Sequence, residues 1–348
     1  MKSLILASTR EGAGKTSMAI GLAGAVNRRF GYVKPLGDRF RYRKKRLWDR
    51  DAALFINLLD LGVKPESTSL GFDHSKLRYS FDRDGTITAL RESVEGASGG
   101  RDAVLIECGK NLSYGSSVFL DPLTISQQTG DPVVIIASGS EDAIADDLAF
   151  VERFVGTDEA NVAGVIINKV VHLDAFRSSH LPEIEKLGVR VFGVVPYQEE
   201  LTTLSVSTVS EELSARILAG EAGLSGTIRT VAVGAMSVGA AMSEPLITAP
   251  DKLVITSGDR SDMILAAIDA GGTSAIVLTN NIVPPANIVS RAGEIGIPLL
   301  LVPDDTYAVA LQVERIEPVL SSEDGAKLGL LRELVAAHVD VQAIENLI

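Results

Sequence analysis

The feature that most constrains the fold is a series of short, mainly apolar runs separated by amphipathic stretches. Residues 3–7, 32–34, 103–107, 133–137, 165–168 and 190–195 read as strands. Between them, residues 16–29, 51–61, 142–154 and 182–187 carry helical periodicity. A strand that is apolar on both sides needs both faces covered, and helices alternating with such strands give a parallel sheet. The expected class is therefore α/β, with a parallel sheet and helices on both faces.

The chain has 348 residues, long enough for about two domains at roughly 150 residues each. Near residues 219–226 it turns small and flexible (Ala-Gly-Glu-Ala-Gly-Leu-Ser-Gly), and the boundary is expected there. Strands at 230–233, 252–256, 275–278 and 298–301, with helices at 262–270 and 285–295, then predict a second, smaller α/β unit. A tail of one or two amphipathic helices follows, striped by Leu328, Leu331, Leu334, Val335 and Val339. It is expected to pack on a domain or on a second subunit. The expected division is 1–220, 228–318 and 319–348.

The strongest chemical signal is Ser8-Thr9-Arg10-Glu11-Gly12-Ala13-Gly14-Lys15-Thr16, which leaves the first strand and opens a helix. In that setting backbone N–H groups and a helix N-terminus converge on an anion. Gly12, Ala13, Gly14, Lys15, Thr16 and Ser17 are the nucleotide-binding candidates. Lys15 would place its charge on the β/γ oxygens, and the Thr16 hydroxyl would ligate Mg²⁺. The first glycine of the usual pattern is Thr9 here. A P-loop metal also needs a carboxylate from a neighbouring strand. Glu107, ending an apolar strand, is the natural candidate; Asp51 is either a second one or an ordinary helix N-cap.

Composition excludes other classes. There are 33 basic and 45 acidic residues, a net charge of −12, which argues against a general binder of nucleic acid or anionic membrane. Cys108 is the single cysteine. It rules out an intrachain disulfide and a cysteine zinc cluster, and it reads as a small buried residue rather than a nucleophile. His74, His172, His180 and His338 have no metal-ligand spacing. The apolar start breaks at Thr9-Arg10-Glu11, too early for a signal peptide, and no run of about 18 apolar residues occurs. A cytoplasmic protein is expected.

The P-loop, then Val33-Lys34-Pro35, Asp51-Ala52, Glu107, Ile167-Asn168 and Gly193-Val194-Val195-Pro196 resemble the dethiobiotin synthetase-like branch of P-loop proteins. The resemblance covers roughly residues 1–220 and is closest to the N-terminal domain of that type in long phosphotransacetylases. It implies ATP and Mg²⁺ as cofactors, with Thr16, Asp51 and Glu107 at the metal. Lys15 and Lys34 are implied as the catalytic cations, Lys34 near the γ-phosphate or an acidic substrate. Asn168 is implied against the base. Without the resemblance, Lys34 reads as a solvated lysine before proline and Asn168 as a turn cap; their place at carboxyl ends of parallel strands favours the ligand roles.

The second part resembles a DRTGG domain through Gly258-Asp259-Arg260 and Leu278-Thr279-Asn280-Asn281-Ile282-Val283-Pro284. Asn280-Asn281 stand where that family has glycines. Asparagine tolerates left-handed backbone, so the turn is expected to survive. The transferase domain of phosphotransacetylases would need several hundred further residues, so a complete enzyme of that kind is not expected.

One basic stretch stands out in the acidic chain. Arg39, Arg41, Arg43, Lys44, Lys45, Arg46 and Arg50 interleave with Phe40, Tyr42 and Trp48. It reads either as a solvated loop or as a funnel for an anionic metabolite beside the phosphate site. Two functions are in view. One is an Mg-ATP-binding regulatory or sensor protein, with or without slow ATPase activity, linked to acyl-phosphate or CoA metabolism. The other is an ATP-dependent carboxylate-activating ligase or kinase. A homodimer is expected from the tail and from the small-residue stretch 234–241.

Overall fold

In the computed structural model of the chain, residues 2–43, 45–155, 160–322 and 324–348 are described. They form two compact units, one of residues 1–198 with 320–348 and one of residues 199–319.

The first unit holds strands β1 (Ser3–Ser8), β2 (Phe30–Val33), β3 (Phe40–Arg43), β4 (Arg46–Asp49), β5 (Ala103–Glu107), β6 (Val133–Ala137), β7 (Val162–Val170) and β8 (Val191–Pro196). Its helices are α1 (Lys15–Ala25), α2 (Arg50–Leu58), α3 (His74–Ser80), α4 (Arg83–Ser98), α5 (Pro122–Thr129), α6 (Glu141–Phe150), α7 (Leu173–Ser179) and α8 (Leu181–Lys186). Six strands make a parallel sheet in the order β2-β5-β1-β6-β7-β8, as the apolar runs predicted. β1, β5 and β6 are buried along their whole length. Strand order reverses at β1, and in open α/β sheets the crevice outside the carboxyl ends at such a point is where ligands sit.

The second unit contains β9 (Leu204–Ser205), β10 (Arg216–Ala219), β11 (Thr227–Ile228), β12 (Thr230–Val233), β13 (Lys252–Ser257), β14 (Thr273–Thr279) and β15 (Leu299–Leu301). Its helices are α9 (Val206–Glu212), α10 (Val238–Ala241), α11 (Pro245–Thr248), α12 (Ser261–Asp269), α13 (Ala286–Ile295) and α14 (Thr306–Glu314). Its main sheet runs β10-β15-β14-β13-β12, parallel except for β10. The period of two along each strand divides the core. Leu253, Ile255, Ala275 and Val277 meet α9 and α14, whereas Val254, Ile276 and Leu278 meet α12 and α13.

The expected division needs correction at two points. Residues 216–219 do not close the first domain; they pair with β15 as an edge strand of the second sheet. The tail is not a separate element either. Its helices α15 (Gly325–His338) and α16 (Val341–Glu345) complete the first unit, α15 lying along α1. Gly21 makes that approach possible, since a Cβ there would lie 2.4 Å from Val335 Cγ2 and 2.9 Å from the Leu331 carbonyl. Leu331, Val335 and Ile344 are fully buried. The apolar stripe of the tail is thus covered within the chain, leaving the expected homodimer to rest on the stretch 234–241 alone.

Candidate functional site

The loop between β1 and α1 takes the form the glycines allow. Gly12 and Gly14 have φ of +73° and +93°, left-handed values that favour glycine. A Cβ on Gly14 would also lie 2.4 Å from Asn168 Nδ2. Lys15 opens α1 with its ammonium on Ser8 Oγ at 2.9 Å. Burial holds that ammonium below its ordinary value, opposed by the nearby Glu107 charge. Ser8 Oγ in turn donates to the carbonyls of Arg10 and Lys110. Thr16 Oγ1 donates to Glu107 Oε1 at 2.8 Å, so the helix start and the end of β5 meet.

Glu107 is the pivot of the site. Its second oxygen accepts from Tyr32 OH at 2.9 Å, and burial pushes its carboxyl up to about 7. Tyr32 and Lys34 lie two residues apart and both turn toward Glu107, as the strand period requires. The matching helix period works on α2. Asp51 reaches Lys34, and four residues later Phe55 stacks on the Tyr32 ring, with centroids 4.1 Å apart.

Lys34 is the main correction to the site expected from sequence. It is not solvated: 1 % of it is exposed, and its ammonium is surrounded by carboxylates. Asp51 Oδ2 and Asp38 Oδ1 each lie 2.6 Å away, Asp49 Oδ1 3.3 Å and Glu107 Oε1 4.0 Å. The Asp38 contact is ionic, off the line of a good hydrogen bond. Burial acts to lower the Lys34 ammonium, but the four acids outweigh it and hold the group well above its ordinary value. Burial likewise acts to raise Asp51, and Lys34 more than reverses this; Asp49 is raised by burial, since it lies farther from Lys34 and beside the Asp51 charge. Asp49 is also the N-cap of α2, accepting from Asp51 and Ala52, while its other oxygen accepts from Asp38 and Arg39 N–H groups. The N-cap reading offered for Asp51 therefore belongs to Asp49, two residues earlier.

Thr16 and Glu107 are in direct contact; Asp51 is linked to Glu107 through Lys34. A second group of acids, Asp38, Asp49 and Asp51, brings ligand oxygens within 4.8 Å of one another. An all-oxygen donor set of hydroxyl and carboxylates suits Mg²⁺ chemically. Asn168, expected against a base, donates from Nδ2 to the Ala13 carbonyl at 2.9 Å. Cys108 is buried and its thiol is raised by burial, in keeping with a packing residue.

The basic stretch is a β-hairpin of β3 and β4, with Phe40 opposite Asp49 and Arg43 opposite Arg46. Phe40 and Tyr42 stand exposed. The Asp49 end joins the carboxylate cluster, and Arg39 lies close enough to lower Asp51. Lys44 lies outside the described residues. Asp38, Asp49, Tyr32 and Lys169 were missed from sequence. Tyr32 had a signal, lying two residues before Lys34 along the strand; Asp38, Asp49 and Lys169 had none.

Residues 2–205, well over half of the chain, match the family described as AAA domain. The chain belongs to that family. Residues 208–316 match the DRTGG domain, so the P-loop domain is followed by a DRTGG domain, as the sequence resemblance implied. The Asn280-Asn281 turn survives, with φ of +62° and +54° and both N–H groups donating to the carbonyls of Asp304 and Val302. Phosphate acetyltransferase of Pseudomonas putida is 27% identical over 98% of this chain and 51% of its own length. That of Pseudomonas aeruginosa is 23% identical over 99% of this chain and 52% of its own. The chain thus spans about half the length of these curated relatives. A solved structure of the CBS and DRTGG domains of the regulatory region of Clostridium perfringens pyrophosphatase, complexed with the activator diadenosine tetraphosphate, aligns with a TM-score of 0.29. It is 14% identical and covers 47% of this chain and 78% of its own.

Proposed function

We propose that this chain is a nucleotide-responsive regulatory protein that binds Mg-ATP at the β1–α1 loop. The observation that carries the nucleotide reading is the contact of Thr16 Oγ1 with Glu107 Oε1 at the start of a helix whose preceding loop holds two left-handed glycines. The loop N–H groups and the α1 N-terminus would receive phosphate oxygens, and Lys15, leaving Ser8, would neutralise them. Thr16, Glu107 and Asp51 would hold Mg²⁺, which when bound supplies charge to shield the polyphosphate.

A regulatory role is preferred to a carboxylate-activating ligase because of Lys34. An electrophilic lysine that receives an acidic substrate must present its charge, whereas this one is buried with four acids around it. The DRTGG domain, and relatives named phosphate acetyltransferase, support a link to acyl-phosphate or CoA metabolism. Among the described residues no helix is long and apolar enough to cross a membrane. A single buried, unpaired cysteine fits the reducing cytoplasm.

Calorimetry on the full chain with ATP, ADP, GTP and acetyl-CoA, with and without Mg²⁺, tests the proposal. Magnesium-dependent binding of adenine nucleotide that disappears in Lys15→Ala is the expected outcome. Hydrogen exchange should then show altered protection within residues 208–316 on ATP addition. Absence of nucleotide binding overturns the reading. ATP turnover stimulated by a small carboxylate would favour the ligase instead.

A further inference from the structure

We infer that Asn168 and Lys169 are positioning residues that turn two N–H groups of the β1–α1 loop toward a polyphosphate, with Asn168 acting on the loop instead of on a base. The inference rests on the nucleotide reading above and specifies how that site is set.

Consecutive residues of a strand point to opposite faces. Asn168 and Lys169 are consecutive in β7, yet both reach the same loop. Asn168 Nδ2 donates to the Ala13 carbonyl at 2.9 Å and Lys169 Nζ to the Gly12 carbonyl at 2.8 Å. A local break in the strand makes this possible. Lys169 has φ of +64°, and pairing of β7 with β8 slips between Ile167 and Val170. A lysine kept in left-handed backbone inside a strand is a strained residue that re-aims its side chain, and such strain gathers at ligand sites.

What the two contacts accomplish follows from the peptide group. The unit is planar and trans, so its C=O and N–H point in opposite directions. The Gly12 carbonyl shares a plane with the Ala13 N–H, and the Ala13 carbonyl with the Gly14 N–H. Drawing both carbonyls toward β7 turns both N–H groups the other way. Among the described residues neither N–H donates to a protein acceptor, although Ala13 is fully buried. Two adjacent N–H groups of this kind, in a stretch with left-handed glycines on either side, form an anion-binding nest. The close fit of the Asn168 amide against Gly14 holds the loop in that state.

The test compares two probes on the full chain: Mg-ATP, which has a base, and inorganic tripolyphosphate, which has none. Titration calorimetry is run on wild type, Asn168→Ala, Lys169→Met and Lys169→Arg, with melting curves to confirm folding. Asn168→Ala should weaken both probes by the same factor, about tenfold. Lys169→Met, altered at an exposed position that leaves the core untouched, should do likewise, and Lys169→Arg should return both to within about twofold of wild type. Loss of ATP affinity with tripolyphosphate unchanged assigns Asn168 to the base and overturns the inference. So do wild-type affinities in both variants. If wild type binds neither probe, the nucleotide reading itself falls and this inference with it.

Discussion

Lys34→Met tests the electrostatics of the site most directly. The substitution keeps most of the side-chain volume and removes the one charge that Asp38, Asp49, Asp51 and Glu107 share. Breaking a buried ion pair by deleting one partner costs about 3–5 kcal/mol, because the other charge is left buried alone. At about 2–4 °C per kcal/mol for a unit of this size, the melting transition of the first unit should fall by roughly 6–20 °C. The loss should depend on pH in a definite direction. Lys34 holds Asp51 below its ordinary value and restrains Glu107. Without it, burial raises these carboxyls, and the variant's fold then favours their protonated forms. Stability that depends on a raised carboxyl is present at low pH and lost as pH rises through the folded value. The gap between wild type and variant should therefore narrow from pH 8 to pH 5, measured by calorimetric melting in a chelator. Lys34→Met combined with Asp38→Asn should recover part of the loss. A gap below about 1 kcal/mol, or one that widens on acidification, would refute the picture of a buried hub; the first would mean that the lysine leaves the cluster at little cost.

In the wild-type chain without metal or nucleotide, Glu107 titrates near 7 against an ordinary 4.5, so its share of stability falls as pH rises from about 5 to 8. The loss is at most about 3 kcal/mol, and Glu107→Gln should flatten the profile. His338, lowered by burial, acts with the opposite sign near pH 6.5, so the comparison is best made in a His338→Gln background. Gly21→Leu would drive a side chain into Val335 and the Leu331 carbonyl. Limited proteolysis should then cut within residues 325–345 much sooner than in wild type, and an unchanged digestion pattern would count against the packing of α15 on α1. In the second unit, replacing Asn280 and Asn281 by glycine should preserve the melting temperature or raise it, whereas valine at either position should cost about 1–2 kcal/mol for the left-handed backbone. Equal melting of the two variants would remove that explanation.

The strands of the first sheet were legible because burial on both faces leaves an apolar signature that depends on little else. The expected limits of β5 and β6 match those observed. Helix α4 (Arg83–Ser98) was not anticipated: its apolar stripe is thin, with Val94 and Ala97 only partly buried and just Thr86, Ile87 and Leu90 of its sixteen residues buried. The β3–β4 hairpin escaped for a different reason. Its turn includes Lys45 at φ +63°, where glycine or asparagine gives the usual hairpin signal. The Thr16–Glu107 contact was readable from motif and strand order. The acids around Lys34 were not, since Asp38 and Asp49 arrive on the turn after β2 and on the hairpin, with no spacing that announces a shared cation.

Sequence by itself determined the layered architecture, the phosphate-loop geometry and the order of the two domains, all of which follow from local periodicity, glycine positions and family pattern. Only the tertiary structure decided that the tail belongs to the first unit, that Lys34 is enclosed by carboxylates and that Asn168 reaches the loop. Each of these depends on which distant segments meet. Electrostatic and packing energies act between atoms in space, and residue spacing along the chain does not encode that distance.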